Sequence, residues 1–416
     1  MELLINVIPL VVILILLFMR KHMLFAGLVG GILAMIIGGI GIGEATGLFI
    51  GGVGNMLGIT VPILYAAAAA MVAKAGSIES LVELAKRGLK GKIAILGGIM
   101  VLIQAFATYT AGLGAGNTMV TAPLVAIALG AVPEVIAGMA IATAVGFTTS
   151  PASTETVLAA ESAGRDVVAH ANAMLPYTIV FFILAAALAV YGVHKRGSLV
   201  RAPKEDKKED FVKSSVLIKR AIPSVALLTL VVLGSTFNDL IGITLFTPAT
   251  AVIITAILTV IFTPLDIDGT SEALIDGSKF ILTTLFSVGI FLSFINMIGE
   301  LGTFEQLAGL VSKAPDAIIL PMAMIAAFLI AIPSGAFTAG VLTLILPTLS
   351  VLGLPSEAMG FVAIATGLGT QISPVQINVA ALADGFNVEI MDIIKENVKY
   401  VIPAFIVITI VAVIFV

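Results

Sequence analysis

Scarcity of charge along many long apolar runs constrains this chain more than any other feature. It has 21 basic and 25 acidic residues in 416, so charged side chains make up 11% of it while 59% is apolar. An average soluble protein carries roughly 25% charged residues. A water-soluble fold of this length could not cover its surface with so few. Many of its apolar stretches reach the roughly 17–25 residues that a helix needs to cross a bilayer. The expected fold class is therefore an all-α polytopic membrane protein, with the lipid bilayer as its first partner. Cys is absent, which removes disulfides, thiolate catalysis and Cys-based zinc sites. The three His, at 22, 170 and 194, are too scattered for a metal cluster, and a net charge of −4 gives no reason to expect nucleic acid.

Residues 1–19 are apolar and are followed by Arg20 and Lys21. A secretory leader would carry its positive charge before the apolar run, so a retained first helix is expected. One stretch is clearly polar: 194–220 holds 13 charges, nine of them basic. It lies near the middle of the chain and divides two related halves. Residues 141–151 read IATAVGFTTSP and 364–374 read IATGLGTQISP. Gly76-Ser-Ile-Glu-Ser-Leu81 likewise matches Gly302-Thr-Phe-Glu-Gln-Leu307. Gly51 aligns with Gly277, Pro123 with Pro347, Pro133 with Pro355 and Pro176 with Pro403, always at an offset of 222 to 227. Internal duplication is the expected origin.

Each half opens with three expected spans, 2–19, 24–43 and 57–73, then 221–237, 245–263 and 279–298. An amphipathic segment follows each trio, at 76–92 and 302–315. The first is basic, with Lys86, Arg87, Lys90 and Lys92; the second is acidic, with Glu300, Glu305 and Asp316 around Lys313. Positive charge marks the cytoplasmic face, so the halves are expected in opposite orientation. In that trace 19 of the 21 basic residues fall inside, and only Arg165 and Lys313 fall outside. The acidic loop expected at 266–276 also falls inside. Both termini are then outside and the 194–220 linker is cytoplasmic. The expected organisation is a first inverted repeat over 1–193, with scaffold 1–75 and transport elements 93–176. The second repeat, 221–416, has scaffold 221–300 and transport elements 317–403.

Residues 93–131 hold two apolar arms around Thr108-Tyr-Thr-Ala-Gly-Leu-Gly-Ala-Gly-Asn-Thr118, and 317–352 repeat this shape around Ile332-Pro-Ser-Gly-Ala-Phe-Thr-Ala-Gly340. Both are read as re-entrant hairpins, whose irregular tips survive at membrane depth only when buried in protein or facing a wet cavity. The next spans, 135–163 and 358–385, are interrupted by Thr148-Thr-Ser-Pro-Ala-Ser-Thr154 and Thr370-Gln-Ile-Ser-Pro-Val-Gln376. Pro151 and Pro374 each remove a helical hydrogen bond and release the carbonyl four residues earlier. Freed carbonyls and hydroxyls suit Na⁺, and the N–H groups opening each second half-helix suit a carboxylate. Two hairpins and two broken helices meeting at the midplane describe a transporter site.

This arrangement resembles the ion transporter superfamily, whose members carry inverted repeats with re-entrant hairpins and broken helices. Within it, Thr154-Glu-Thr-Val-Leu-Ala-Ala160 followed by Leu175-Pro176, and Ile372-Ser-Pro374 followed by Val401-Ile-Pro403, look most like the anaerobic C4-dicarboxylate carriers of the DcuC type. The resemblance implies an elevator mechanism and a dicarboxylate or related substrate. The hairpin tips here read Gly116-Asn-Thr118 and Ser334-Gly-Ala336, where dicarboxylate carriers of the sodium symporter branch have Ser-Asn-Thr twice.

Candidate substrate contacts are Asn117, Thr118, Thr149, Ser150, Ser153, Ser334, Thr338, Gln371, Ser373, Gln376 and Asn378. Candidate ion-coupling residues are Glu155, Thr148 and Thr370. Glu155 is the one carboxylate expected deep in the transport region, and its repeat counterpart is the neutral Asn378; the alternative is a hydrated helix cap. Glu161 and Asp384 are expected to be solvated. Tyr65, Gln104, Asn55 and Asn296 are read as interhelical hydrogen-bonding residues. The Gly-rich run at 112–116 follows no strand and is not a nucleotide fingerprint.

The expected function is a secondary transporter of a small organic anion, coupled to H⁺ or Na⁺ or working by exchange, in the cell membrane and as a homodimer. The alternative is a cation/proton antiporter with Glu155 as ion ligand. Nucleophile-elbow, zincin and Walker motifs are missing, so neither an enzyme nor a primary pump is expected. No cofactor is expected, with Na⁺ a candidate coupling ion.

Overall fold

A computed structural model describes residues 2–19, 21–58, 60–89, 92–112, 114–199, 212–315, 318–335, 338–351 and 354–416. Arg20, Lys90, Asp316, Ala336 and residues 200–211 of the linker lie outside the described residues. Those described are helical, with no strand among them. The first half begins with α1 (Glu2–Asn6), α2 (Ile8–Phe18), α3 (Met23–Gly38), α4 (Ile42–Leu57) and α5 (Thr60–Lys74). The amphipathic α6 (Ser77–Gly88) comes next. Then follow α7 (Ile93–Ala111) and α8 (Gly114–Leu129), the bent pair α9 (Pro133–Thr149) and α10 (Thr154–Ser162), and the long α11 (Val167–Arg196).

The second half keeps this order. It runs through α12 (Ser214–Ile241), α13 (Pro248–Phe262), α14 (Ile267–Gly299) and the short α15 (Thr303–Gly309). The hairpin arms α16 (Ile319–Ala331) and α17 (Thr338–Val351), the interrupted pair α18 (Ser356–Thr370) and α19 (Ile377–Phe386), and α20 (Ile390–Phe415) complete it.

Two boundaries differ from the sequence expectation. Residues 44–56, left between the expected spans 24–43 and 57–73, are helical and make up most of α4, which precedes α5. Residues 266–276, read as an acidic loop, are the cap and first turns of α14. Asp266 accepts from the Gly269 N–H at 2.8 Å, and Asp268 sits in the first turn, where negative charge complements the helix dipole. Carboxylate content hid the start of α14, because local propensity weighs less than the packing this segment finds.

Among the described residues four helices, α11, α14, α20 and 214–234 of α12, are long and apolar enough to cross a membrane, and α9 with α10 forms a further pair bent by 50°. The outward faces of α11, α13 and α20 are apolar: Ile183, Ile253, Ile257, Ile261, Ile410 and Val413 are all more than half exposed. Such a surface is stable against lipid and not against water. The core of the molecule is α9 against α18, each buried almost throughout. They approach closely at Gly367, where a methyl group would fall 2.9 Å from the Ala144 carbonyl oxygen.

Two ion pairs tie the starts of α9 and α18, the first to the long α11 and the second to the connection between α10 and α11. Glu134, at the start of α9 and only 2% exposed, receives the Arg196 Nε–H at 2.8 Å and the Tyr400 hydroxyl at 3.0 Å. Glu357, at the start of α18, receives Arg165 Nη1 at 2.8 Å.

Candidate functional site

The first break begins at Ser150, whose backbone turns extended ahead of Pro151. Its hydroxyl donates to the Tyr109 carbonyl at 2.5 Å and accepts the Ala152 N–H at 3.0 Å, replacing partners that the proline removed. Ser153 then caps α10, accepting from the Thr156 N–H at 3.2 Å. Thr148 and Thr149 donate back to Ala144 and Val145 carbonyls of their own helix, and Thr178 bonds the Thr149 hydroxyl at 2.9 Å. In the second break, Thr370 donates to the Gly367 carbonyl at 2.6 Å, Ser373 accepts the Val375 N–H at 3.2 Å, and Gln376 caps α19.

Each hairpin tip docks on the break of its own half. Gly112 adopts φ +66° and lies against Ala152 and Ser153, so a side chain there meets both a strained backbone and an occupied space. Gly335 lies as tightly against Ser373, and Ser334 beside it donates to the Ile330 carbonyl at 2.5 Å.

A directed chain of hydrogen bonds runs behind the tips and crosses between the halves. Thr121 donates to Gln104 Oε1. Gln104 Nε2 lies 2.6 Å from the Thr118 hydroxyl and 3.0 Å from that of Thr143. Thr118 donates to Asn378 Oδ1 at 2.5 Å, Asn378 Nδ2 to Gln371 Oε1 at 2.7 Å, and Gln371 Nε2 to the Thr370 hydroxyl at 3.1 Å. Asn397 of α20 secures the Gln371 carbonyl at 2.9 Å. Every member is buried, so each bond stands in for water that cannot reach it.

In front of this network is a cavity of about 510 Å³. Gly58, Thr60 and Val61 at the α4–α5 junction form one side. The first tip contributes Gly112, Gly114 and Gly116, the first break Thr154 and Glu155, the start of α17 Thr338, and the second break Gln376, Ile377 and Asn378. Glu155 is the single carboxylate among the described lining residues, and no Lys, Arg or His is among them. No salt bridge reaches Glu155 among the described residues. A charge so placed needs a cation, a proton or water in the cavity.

Of the residues singled out from sequence, Glu155, Thr338, Gln376 and Asn378 reach the wall. Asn117, Thr118, Thr148, Thr149, Ser150, Ser153, Ser334, Thr370, Gln371 and Ser373 are buried behind it and shape it. Sequence reasoning missed Thr121, Thr143, Asn397 and Thr60. Thr143 stands alone in an apolar stretch, and that isolation was the available signal. Gln104 makes the interhelical bonds expected of it, whereas Tyr65 and Asn296 make no side-chain hydrogen bond among the described residues. Asp384 is half-buried rather than solvated; it lines a second cavity of about 370 Å³ with Lys74 and Asp276. Glu161 is exposed, as expected. No group of three or more acidic or His side chains suited to a metal occurs among the described residues.

Comparison with known families matches no family model, and comparison with curated proteins finds no significant match.

Proposed function

We propose that the protein is a secondary active transporter of a small organic anion, a C4-dicarboxylate or related carboxylate, coupled to H⁺ or Na⁺ or working by exchange. The carrying observation is the cavity where both breaks, the tip of the first hairpin and the start of α17 meet the α4–α5 junction. Its wall offers amides, hydroxyls and the starts of two helices, which favour an anion without a basic residue. Glu155 in the same wall opposes an anion, so a cation or proton accompanies the substrate.

The two halves act as inverted repeats, with 93–176 and 317–403 moving as one block against scaffolds 1–75 and 221–300. Cohesion within the block supports this: the Thr118–Asn378 bond, the buried α9–α18 contact and the Tyr400–Glu134 bond all join the two halves. Against the scaffold, by contrast, Gly116 meets Val61 and the Tyr65 ring through apolar contact, a surface suited to sliding. The scaffold carries a homodimer contact, because an elevator needs a fixed partner. In this reading both termini are outside, the 194–220 linker is cytoplasmic, and the protein resides in the cell membrane. The joined ion-pair partners agree with that topology, since Glu134 and Arg196 both fall inside and Arg165 and Glu357 both fall outside.

A thermal-shift screen of purified protein against Na⁺ and mono-, di- and tricarboxylates tests the assignment. A substrate stabilises by mass action, and about 2.7 kcal/mol is expected at a hundredfold excess over Kd. The isolation of Glu155 as the one charge among the described lining residues favours a second reading, a cation/proton antiporter with Glu155 as ion ligand. In that case no carboxylate stabilises the protein, and Na⁺ binding alone responds to pH.

A further inference from the structure

The two breaks are related in sequence, yet they present opposite hydrogen-bonding character to the cavity. Position 153 of the first half corresponds to 376 of the second, and 155 corresponds to 378. Both 153 and 376 cap the following helix, and a cap facing backbone N–H groups must offer an acceptor. Ser153 meets this demand with its hydroxyl and lies 2% exposed. Gln376 meets it with Oε1, which accepts from the Asn378 N–H at 3.5 Å. The cap favours this orientation, because a reversed amide would set NH₂ against N–H. The Nε2 group then turns away from the helix. Gln376 is 9% exposed, lines the cavity, and its Nε2 has no partner among the described residues.

Asn378 adds to the same wall. Its oxygen is held by Thr118 and one N–H by Gln371, leaving one N–H without a partner among the described residues. A buried N–H is seldom left orphaned. Three donor hydrogens therefore gather on the second break, and the matching place on the first break carries the Glu155 carboxylate.

We infer that Gln376 Nε2 and Asn378 Nδ2 form a carboxylate subsite and that the Glu155 side of the cavity takes a hydrogen-bond donor, so the substrate class is a small monocarboxylate bearing a hydroxyl or ammonium at its far end. This rests on the organic-anion reading and narrows it. A second bare carboxylate would lie against Glu155 and requires an intervening cation or proton. Gln376 determines specificity, because it alone couples a donor direction set by its cap to an open position in the wall.

The test uses three four-carbon probes with one carboxylate in common: 4-hydroxybutyrate, 4-aminobutyrate and succinate. Each is titrated into purified protein at neutral pH without Na⁺. The first two should bind about tenfold or more tightly than succinate, and Glu155→Gln should remove most of that difference. Gln376→Glu keeps a capping acceptor and replaces the donors with a charge, so all three probes should weaken by about tenfold or more. Gln376→Ser restores the cap used by the first half and should weaken binding while leaving the unliganded melting temperature unchanged. Succinate binding as tightly as 4-hydroxybutyrate, or binding that ignores both Gln376 variants, overturns the inference alone. A wild-type protein that binds no carboxylate overturns the organic-anion reading and this inference with it.

Discussion

Thr118 donates a hydrogen bond of 2.5 Å to Asn378, joining residues 260 positions apart and binding the first hairpin to the second broken helix. It is the central link of the buried chain from Thr121 to Thr370. Thr118→Val should leave the buried Asn378 Oδ1 without its hydroxyl partner and cost about 1–3 kcal/mol, while Gln104 Nε2 keeps Thr108 and Thr143. Thr118→Ser keeps the hydroxyl and should recover most of that. Denaturation in detergent measures both, and equal stability of the Val and Ser variants would count against a chain that holds the halves together.

The ion pairs at the starts of α9 and α18 should differ in weight. Arg196→Ala abandons a carboxylate that is 2% exposed, whereas Arg165→Ala abandons Glu357, which is 31% exposed and keeps access to water. Breaking a buried pair is far more costly than breaking a screened one. The melting temperature should fall several times further for Arg196→Ala than for Arg165→Ala.

Gly367→Ala probes the contact between α9 and α18. The added methyl would sit 2.7 Å from Thr148 Cγ2 and 2.9 Å from the Ala144 carbonyl oxygen. Overpacking of this kind costs about 1–3 kcal/mol. Transport should fall as well, since the displaced Thr148 lies directly before the first break. An unchanged melting temperature would mean that the two helices separate easily.

Labelling sides tests the topology. Cys introduced at Leu4 and at Ser198, both exposed, should react with a membrane-impermeant reagent from opposite faces of the membrane. Reaction from one face would remove the inverted arrangement.

Glu155→Gln distinguishes the coupling ion. Under proton coupling the variant mimics the neutral carboxyl, so substrate exchange should survive while pH-driven accumulation is lost. Under Na⁺ coordination, Na⁺ affinity and Na⁺-dependent substrate binding should both fall. Normal accumulation with normal Na⁺ and pH dependence would reduce Glu155 to a helix cap.

What the sequence determined by itself follows from composition and local sterics. Charge scarcity and run length imply apolar helices, and Gly112, Pro151 and Pro374 lie at breaks, where a left-handed turn or a missing N–H acts within one helical turn; Pro123, Pro176, Pro223 and Pro403 are carried inside helices. Tertiary structure alone decided which polar residues face the cavity. Thr118 and Gln376 look alike in sequence, as isolated polar groups beside a break. One is consumed by a partner 260 residues away, while the other is turned outward by the helix it caps. It also decided that 266–276 is helical, since packing can outweigh the carboxylates that argued for a loop, and that 44–56, between two expected spans, is helical as well. A hydrogen bond's direction depends on both of its partners, and when those lie in different halves of the chain no local reading contains it.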